Sequence, residues 1–162
     1  MHHTEHAITI DAPLDDVYDV LADVEGYARL FPPTQSVEIL EEGDGYQIAR
    51  LVVDVSGELQ SWVTRRDLDP ERKIIAYRQL ETAALVGHMG GEWRAYELDA
   101  RRTQLVLTHD FVARDPAEDG KIAGRFTPEE ADGLLKAAVE RNSHDDLAAV
   151  KDEAERRAVA AV

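Results

Sequence analysis

The spacing of apolar residues changes along this chain in a way that divides it into three parts. Between Gln35 and Phe111 apolar positions recur at every second residue, whereas the flanking segments repeat every three to four. Residues of one strand face alternate with period two, and those of one helix face recur at 3.6, so the chain predicts helices on either side of a long β region. His6–Ile10 is an alternating exception at the start, with Ile8 and Ile10 on one face, and predicts a first strand. Leu14, Val17, Tyr18, Leu21 and Val24 then follow at helical spacing, Gly26 interrupts, and Tyr27 to Phe31 makes a second short helix. Pro32-Pro33 forbids its continuation.

The β region reads as hairpins. Ser36–Leu40 and Tyr46–Val55 flank the turn Glu42-Gly43-Asp44-Gly45, Ser56-Gly57 turns into Glu58–Asp67, and Leu68–Arg72 turns into Lys73–Leu80. Glu81–Gly91 lacks alternation and predicts an irregular, flexible loop. Glu92–Leu98 and Thr103–Ala113, joined at Asp99–Arg102, complete a meander. Arg114 to Phe126, with Pro116 and two glycines, predicts a mobile loop or partial helix.

The closing segment, Thr127 to Val162, predicts one long helix. Thr127 can cap the free amides, Pro128 suits the first helical position, and Glu130 completes a capping box. If helical throughout it is roughly 50 Å long, at about 1.5 Å per residue. Leu135, Val139, Asn142, Asp146 and Val150 fall on one stripe, so an amide and a carboxylate interrupt an apolar face. A buried carboxylate is costly unless paired, which makes Asp146 a residue in need of a reason. Strand, two short helices, six strands in hairpins and one long helix predict an α+β fold: a seven-stranded antiparallel sheet curved around the helix. A sheet gripping a helix leaves a cavity where their side chains do not meet, and that cavity is the expected ligand site.

Composition narrows the chemistry. The 162 residues suit one domain over 1–162, and no repeat or linker divides them. A net charge of −15, from 18 basic and 33 acidic side chains, argues against nucleic acid and anionic membranes as partners. The absence of cysteine removes disulfides and thiolate chemistry. The start has no apolar signal core, and no apolar run approaches the ~20 residues of a membrane span, so a cytoplasmic protein is expected. No oligomeric state follows, and a monomer is compatible with the chain.

Strand parity singles out the candidate residues. Leu105, Leu107, His109 and Phe111 share the more apolar face of the last strand, so His109 points inward. It reads either as a core histidine with one hydrogen bond or, with Asp146 and Asn142 on the facing helix, as a general acid or base. Trp62, Thr64 and Arg66 share a face from which Arg65 is excluded. Both arginines reach solvent at a frayed strand end, or Arg66 projects into the cavity as a fixed cation for a carbonyl or enolate oxygen. The histidines of Met1-His2-His3 and His6 suggest metal ligation, but a frayed terminus is the expectation, and His144 reads as solvated. No Walker motif, nucleophile elbow or dinucleotide fingerprint is present.

Several separated stretches carry a family resemblance: Leu21-Ala22-Asp23-Val24, Phe31-Pro32-Pro33-Thr34, Thr64-Arg65-Arg66-Asp67-Leu68-Asp69, Tyr77-Arg78-Gln79-Leu80-Glu81-Thr82, Gly87-His88-Met89, Gln104 to Phe111 and Glu140-Arg141-Asn142-Ser143. The chain resembles the single-domain aromatase/cyclases of bacterial type II polyketide synthases, which belong to the START-like helix-grip superfamily. The resemblance implies a helix-grip fold, a catalytic set of Arg66, His109 and Asp146, and a poly-β-ketone substrate tethered to an acyl carrier protein. It implies ring closure between the seventh and twelfth backbone carbons by aldol condensation, then dehydration to an aromatic ring, with other synthase components as partners. Phe31, Trp62, Thr64, His88, Met89, Trp93, Leu107, Val139 and Asn142 are expected to bind substrate. No cofactor and no metal site are expected. The competing expectation is a carrier that only holds an apolar ligand.

Overall fold

In the computed structural model, which describes residues 1–55 and 57–161, the alternating β region folds into one antiparallel sheet. Its strands are β1 (His2–Ile10), β2 (Thr34–Gly43), β3 (Tyr46–Val55), β4 (Glu58–Asp69), β5 (Ile74–Glu81), β6 (Val86–Asp99) and β7 (Arg102–Ala113). Their order across the sheet is β1-β7-β6-β5-β4-β3-β2, so every neighbouring pair except β1 with β7 is a hairpin. The sheet is open, with β1 and β2 as edges. Register shifts at Ile39/Glu41, Val63/Thr64 and Val86/His88 add residues to one strand of a pair and bend it. Helix α1 (Leu14–Ala22), a 3₁₀ turn (Val24–Gly26) and α2 (Tyr27–Leu30) follow β1, and α3 (Pro128–Ala160) closes the fold as a helix grip.

The start of α3 forms as its local chemistry dictates. Thr127 Oγ1 accepts from the Glu130 amide at 3.2 Å, Glu130 Oε1 accepts from the Thr127 amide at 3.0 Å, and Pro128 occupies the first turn. The buried stripe of α3 runs Ala131, Leu135, Val139, Ser143, Leu147, Val150, Ala154. Its polar member is Ser143, not Asn142 or Asp146. Those two flank the stripe, Asn142 exposed and Asp146 partly buried.

Two apolar clusters hold α3 to the sheet. The larger joins Ile10, Val17, Leu21, Ile75, Leu105 and Leu107 to Leu147, Val150 and Ala154. The smaller joins Ala83, Val86, Met89 and Phe111 to Leu135 and Val139. Trp62 packs against both, and His109 and Ser143 sit where they part.

Three sequence expectations are corrected, and one is narrowed to a single alternative. Strand β1 begins at His2 rather than His6, paired from His2↔Phe111 to Ile10↔Thr103, so the terminal histidines are not frayed. Residues 87–91 are strand, not a flexible loop. A side chain on Gly91 would collide with the Thr108 carbonyl, so the glycine there admits a close backbone approach within β6–β7. Between Arg114 and Phe126 the chain is a largely exposed loop rather than a partial helix, pinned at one point. Buried Ile122 bridges Phe126, and the Ala117 amide donates to Lys121 at 2.9 Å. Helix α1 stops at Ala22, short of Val24. Ser56 of the expected Ser56-Gly57 turn, and Val162 at the end of the expected helix, lie outside the described residues.

Candidate active site

Between sheet and α3 lies a cavity of about 650 Å³. Arg66 enters it from β4, His109 from β7 and Asp146 from α3, so the three expected groups line one space. Phe31, Trp62, Thr64, Met89, Trp93, Leu107, Val139 and Asn142 line it too. His88 does not. Alternation along β6 buries Met89 and turns its neighbour to the other face of the sheet. A wider groove of about 910 Å³ shares Phe31, Pro33, Asn142, Asp145 and Asp146 with the cavity, but neither Arg66 nor His109 borders it.

Strand parity decides between the adjacent arginines. Arg65 faces outward, donates to Asp67 at 3.0 Å and stacks 4.5 Å over the Tyr46 ring. Arg66 is 3% exposed. Its guanidinium donates to the Leu21 carbonyl at the end of α1 and to Gln47 Oε1 at 3.2 Å, and lies 5.0 Å from the Tyr27 ring centre. No carboxylate among the described residues forms an ion pair with it. A buried cation held only by neutral acceptors and an aromatic face retains its attraction for an anionic oxygen.

His109 has a different partner from the one expected. No hydrogen bond joins it to Asp146; its Nδ1 meets Ser143 Oγ at 3.3 Å. Ser143 Oγ also donates to the Val139 carbonyl at 2.6 Å, and a hydroxyl has only one hydrogen to give. The serine therefore accepts from Nδ1–H, and Nε2 is the nitrogen left basic. Burial, followed by the nearby charge of His6, lowers the His109 pKa to about 4, so the ring is neutral at physiological pH.

Asp146 is displaced in the opposite direction. Burial, reinforced by Asp145, raises its pKa to about 7, and it has no ion-pair partner among the described residues. Such a carboxyl can give or take a proton near neutrality. Tyr77, whose hydroxyl donates to the Thr108 carbonyl at 2.6 Å, and Tyr27, which donates to Leu21 at 2.8 Å, complete the walls. Burial raises both phenols, so they remain donors. The arrangement offers a fixed cation, a neutral imidazole and a poised carboxyl in an aromatic cavity. It suits proton transfer next to a carbonyl whose oxygen gains negative charge.

Ser143, Tyr27, Tyr77 and Gln47 were not singled out from sequence. For Ser143 a signal exists, because Leu135, Val139, Ser143 and Leu147 are spaced by four. Tyr77 shares the strand face of buried Ile75.

A family model described as polyketide cyclase / dehydrase and lipid transport matches residues 10–130. The aromatase/cyclase Zhui from a Streptomyces species has a crystal structure that aligns at a TM-score of 0.94 and 65% identity, covering 96% of this chain and 94% of that one. The di-domain ARO/CYC protein BexL aligns at a TM-score of 0.76 and 32% identity, over 96% of this chain and 47% of its own. The actinorhodin polyketide synthase bifunctional cyclase/dehydratase of Streptomyces coelicolor is 35% identical over 156 residues, 96% of this chain and 45% of that protein. The chain thus spans about half the length of the curated relatives it first matches. No helix among the described residues is long and apolar enough to cross a membrane.

Proposed function

This chain belongs to the polyketide cyclase/dehydrase and lipid transport family, and on that footing we propose that it is an aromatase/cyclase of a type II polyketide synthase. Residues 1–162 act as one START-like domain. It receives a poly-β-ketone from an acyl carrier protein, closes the first ring between the seventh and twelfth backbone carbons and dehydrates it. The observation that carries this reading is the convergence of Arg66, His109 and Asp146 on one largely apolar cavity.

Ring closure is an intramolecular aldol reaction. Asp146, ionised in part near neutral pH, takes a proton from a methylene carbon between two carbonyls. The enolate oxygen rests against Arg66, which Leu21 and Gln47 already hold in place, so little reorganisation accompanies the reaction. The enolate carbon bonds to the target ketone carbon. The resulting alkoxide recovers the proton from Asp146, and no net proton is gained or lost. Cavity walls that fold the chain raise the effective concentration of one carbon at one carbonyl.

Dehydration needs a base and an acid together. Ring closure leaves Asp146 ionised; reprotonated from solvent near its pKa of about 7, it gives that proton to the departing hydroxyl, which leaves as water, while His109 Nε2 takes the second methylene proton. The imidazolium then returns its proton to the Asp146 carboxylate, and the ring enolises to the aromatic product. Every step is redox-neutral.

The test is product analysis with a minimal synthase. Wild-type protein should convert the chain to the ring-closed aromatic product, and Asp146→Asn, which keeps shape but removes the ionisation, should lose about 100-fold or more in rate while still melting cooperatively. The family description also covers lipid transport, and an unchanged product profile from folded Asp146→Asn would favour a carrier instead.

A further inference from the structure

We propose that His6, Glu140 and His144 form a binding site for one divalent transition-metal ion, zinc being the best match, between edge strand β1 and helix α3. The site lies outside the cavity, on the opposite flank of α3 from Asp146. Its donor atoms, one imidazole nitrogen from each histidine and a carboxylate oxygen, all lie within 4.8 Å of one another. The Glu140 carboxylate stands between the rings, with Oε2 2.9 Å from His6 Nε2 and Oε1 3.1 Å from His144 Nε2. The ring centres are 5.0 Å apart, edge to face.

The fold explains the convergence. Glu140 and His144 are four residues apart on α3 and so share a face one turn apart. His6 is presented by β1, whose alternation turns His2, Thr4 and His6 toward the helix. Because β1 is paired along its length with β7, His6 is fixed rather than frayed, and its side chain is only 14% exposed.

The donor set selects the ion. Two imidazoles and one carboxylate suit tetrahedral zinc with water in the fourth position, at Zn–N about 2.0–2.1 Å. Calcium and magnesium prefer all-oxygen sites of higher coordination number. One feature limits affinity: His6 Nδ1 is buried and has no hydrogen-bond partner among the described residues. Loss of such an outer-shell partner weakens metal binding about 10–100-fold, so micromolar rather than nanomolar binding is expected. A bound ion would fasten the edge strand to the long helix.

The experiment is calorimetric titration of the chelator-treated full chain with zinc, paired with thermal melting. Wild type should bind one equivalent saturably and melt at a higher temperature in its presence. His144→Ala and Glu140→Gln, both at exposed positions, should each weaken binding at least tenfold and abolish the melting shift. His3→Ala and His88→Ala should bind as wild type. Absence of saturable binding by wild type would overturn the site. So would full affinity in His144→Ala and Glu140→Gln, loss of binding in His3→Ala, or equal competition by calcium.

Discussion

Ser143 Oγ lies 3.3 Å from His109 Nδ1, and the one hydrogen it carries is committed to the Val139 carbonyl 2.6 Å away. A helix residue that makes no proton transfer itself therefore dictates which nitrogen of a strand histidine is basic. Ser143→Ala should reduce ring-closed product about tenfold, less than the 10²–10⁴ supplied by a general acid–base group. Nitrogen chemical shifts of His109 should show a mixture of tautomers in the variant and a single one in wild type. A single tautomer in both would remove the serine from this role.

Arg66 and Arg65 should respond differently to the same substitution. Arg66→Ala leaves the Leu21 carbonyl without one of its donors and empties the cavity of its fixed cation. We expect a stability loss of about 1–3 kcal/mol and no correctly cyclised product. Arg65→Ala removes a surface contact with Asp67 and should leave product yield close to wild type. Arg66→Lys should restore folding but little activity, because a point charge does not replace a planar fork of donors. Equal losses at 65 and 66 would show that cavity access is not what separates them.

The displaced ionisations of Asp146 and His109 pull stability in opposite directions with pH. Asp146 titrates at about 7 when folded against about 3.9 unfolded. Its contribution is present at low pH and lost as pH rises from about 4 through 7. His109 titrates at about 4 when folded against about 6.5 unfolded. Its contribution is present above about 6.5 and lost as pH falls through 4. In wild type the two slopes offset between pH 4 and 6.5. Denaturant midpoints should show Asp146→Asn gaining on wild type as pH rises to 7, and His109→Gln gaining as pH falls to 4. Parallel curves for all three proteins would mean that neither group is displaced.

Two glycine-to-alanine changes should differ in sign. At Gly91, φ is 157° and a Cβ would strike the Thr108 carbonyl and the Tyr77 hydroxyl that bonds to it. Gly91→Ala should cost about 3 kcal/mol by strain of this kind. At Gly133, within α3, a Cβ meets nothing within 4 Å, and Gly133→Ala should stabilise by about 1 kcal/mol. Chemical denaturation of the two variants measures both.

What was legible in the sequence was local or periodic. The Thr127–Glu130 cap is written in four consecutive residues, and it forms as written. The choice of Arg66 over Arg65 follows from a period of two, which tolerates no drift along a strand. A helix period is less strict: of the residues on the stripe, Asn142 lies about 100° and Asp146 about 60° of rotation from the true centre at Ser143. Both flanking residues nonetheless reach the cavity. Gly90 and Gly91 read as loop because the reasons for them lie in other strands, the Tyr77 carbonyl of β5 beside Gly90 and the Thr108 carbonyl of β7 beside Gly91. The meeting of His6 with His144 was hidden likewise, since only the pairing of β1 with β7 brings the first residues beneath α3.

The division of the apolar interior into two clusters means that α3 is supported toward both ends and spans a gap between them. Across that gap the helix offers Asn142 and Asp146 to a space walled by Trp62, Trp93 and Leu107. A flat, hydrophobic guest of the right size would join the two clusters into one, doing for this molecule what a central layer of side chains does in others. Its binding should therefore appear as resistance to unfolding, growing as RT ln(1 + [L]/Kd) with concentration. Release of such a guest would reopen the interior, so ligand binding and structural integrity are drawn from the same contacts.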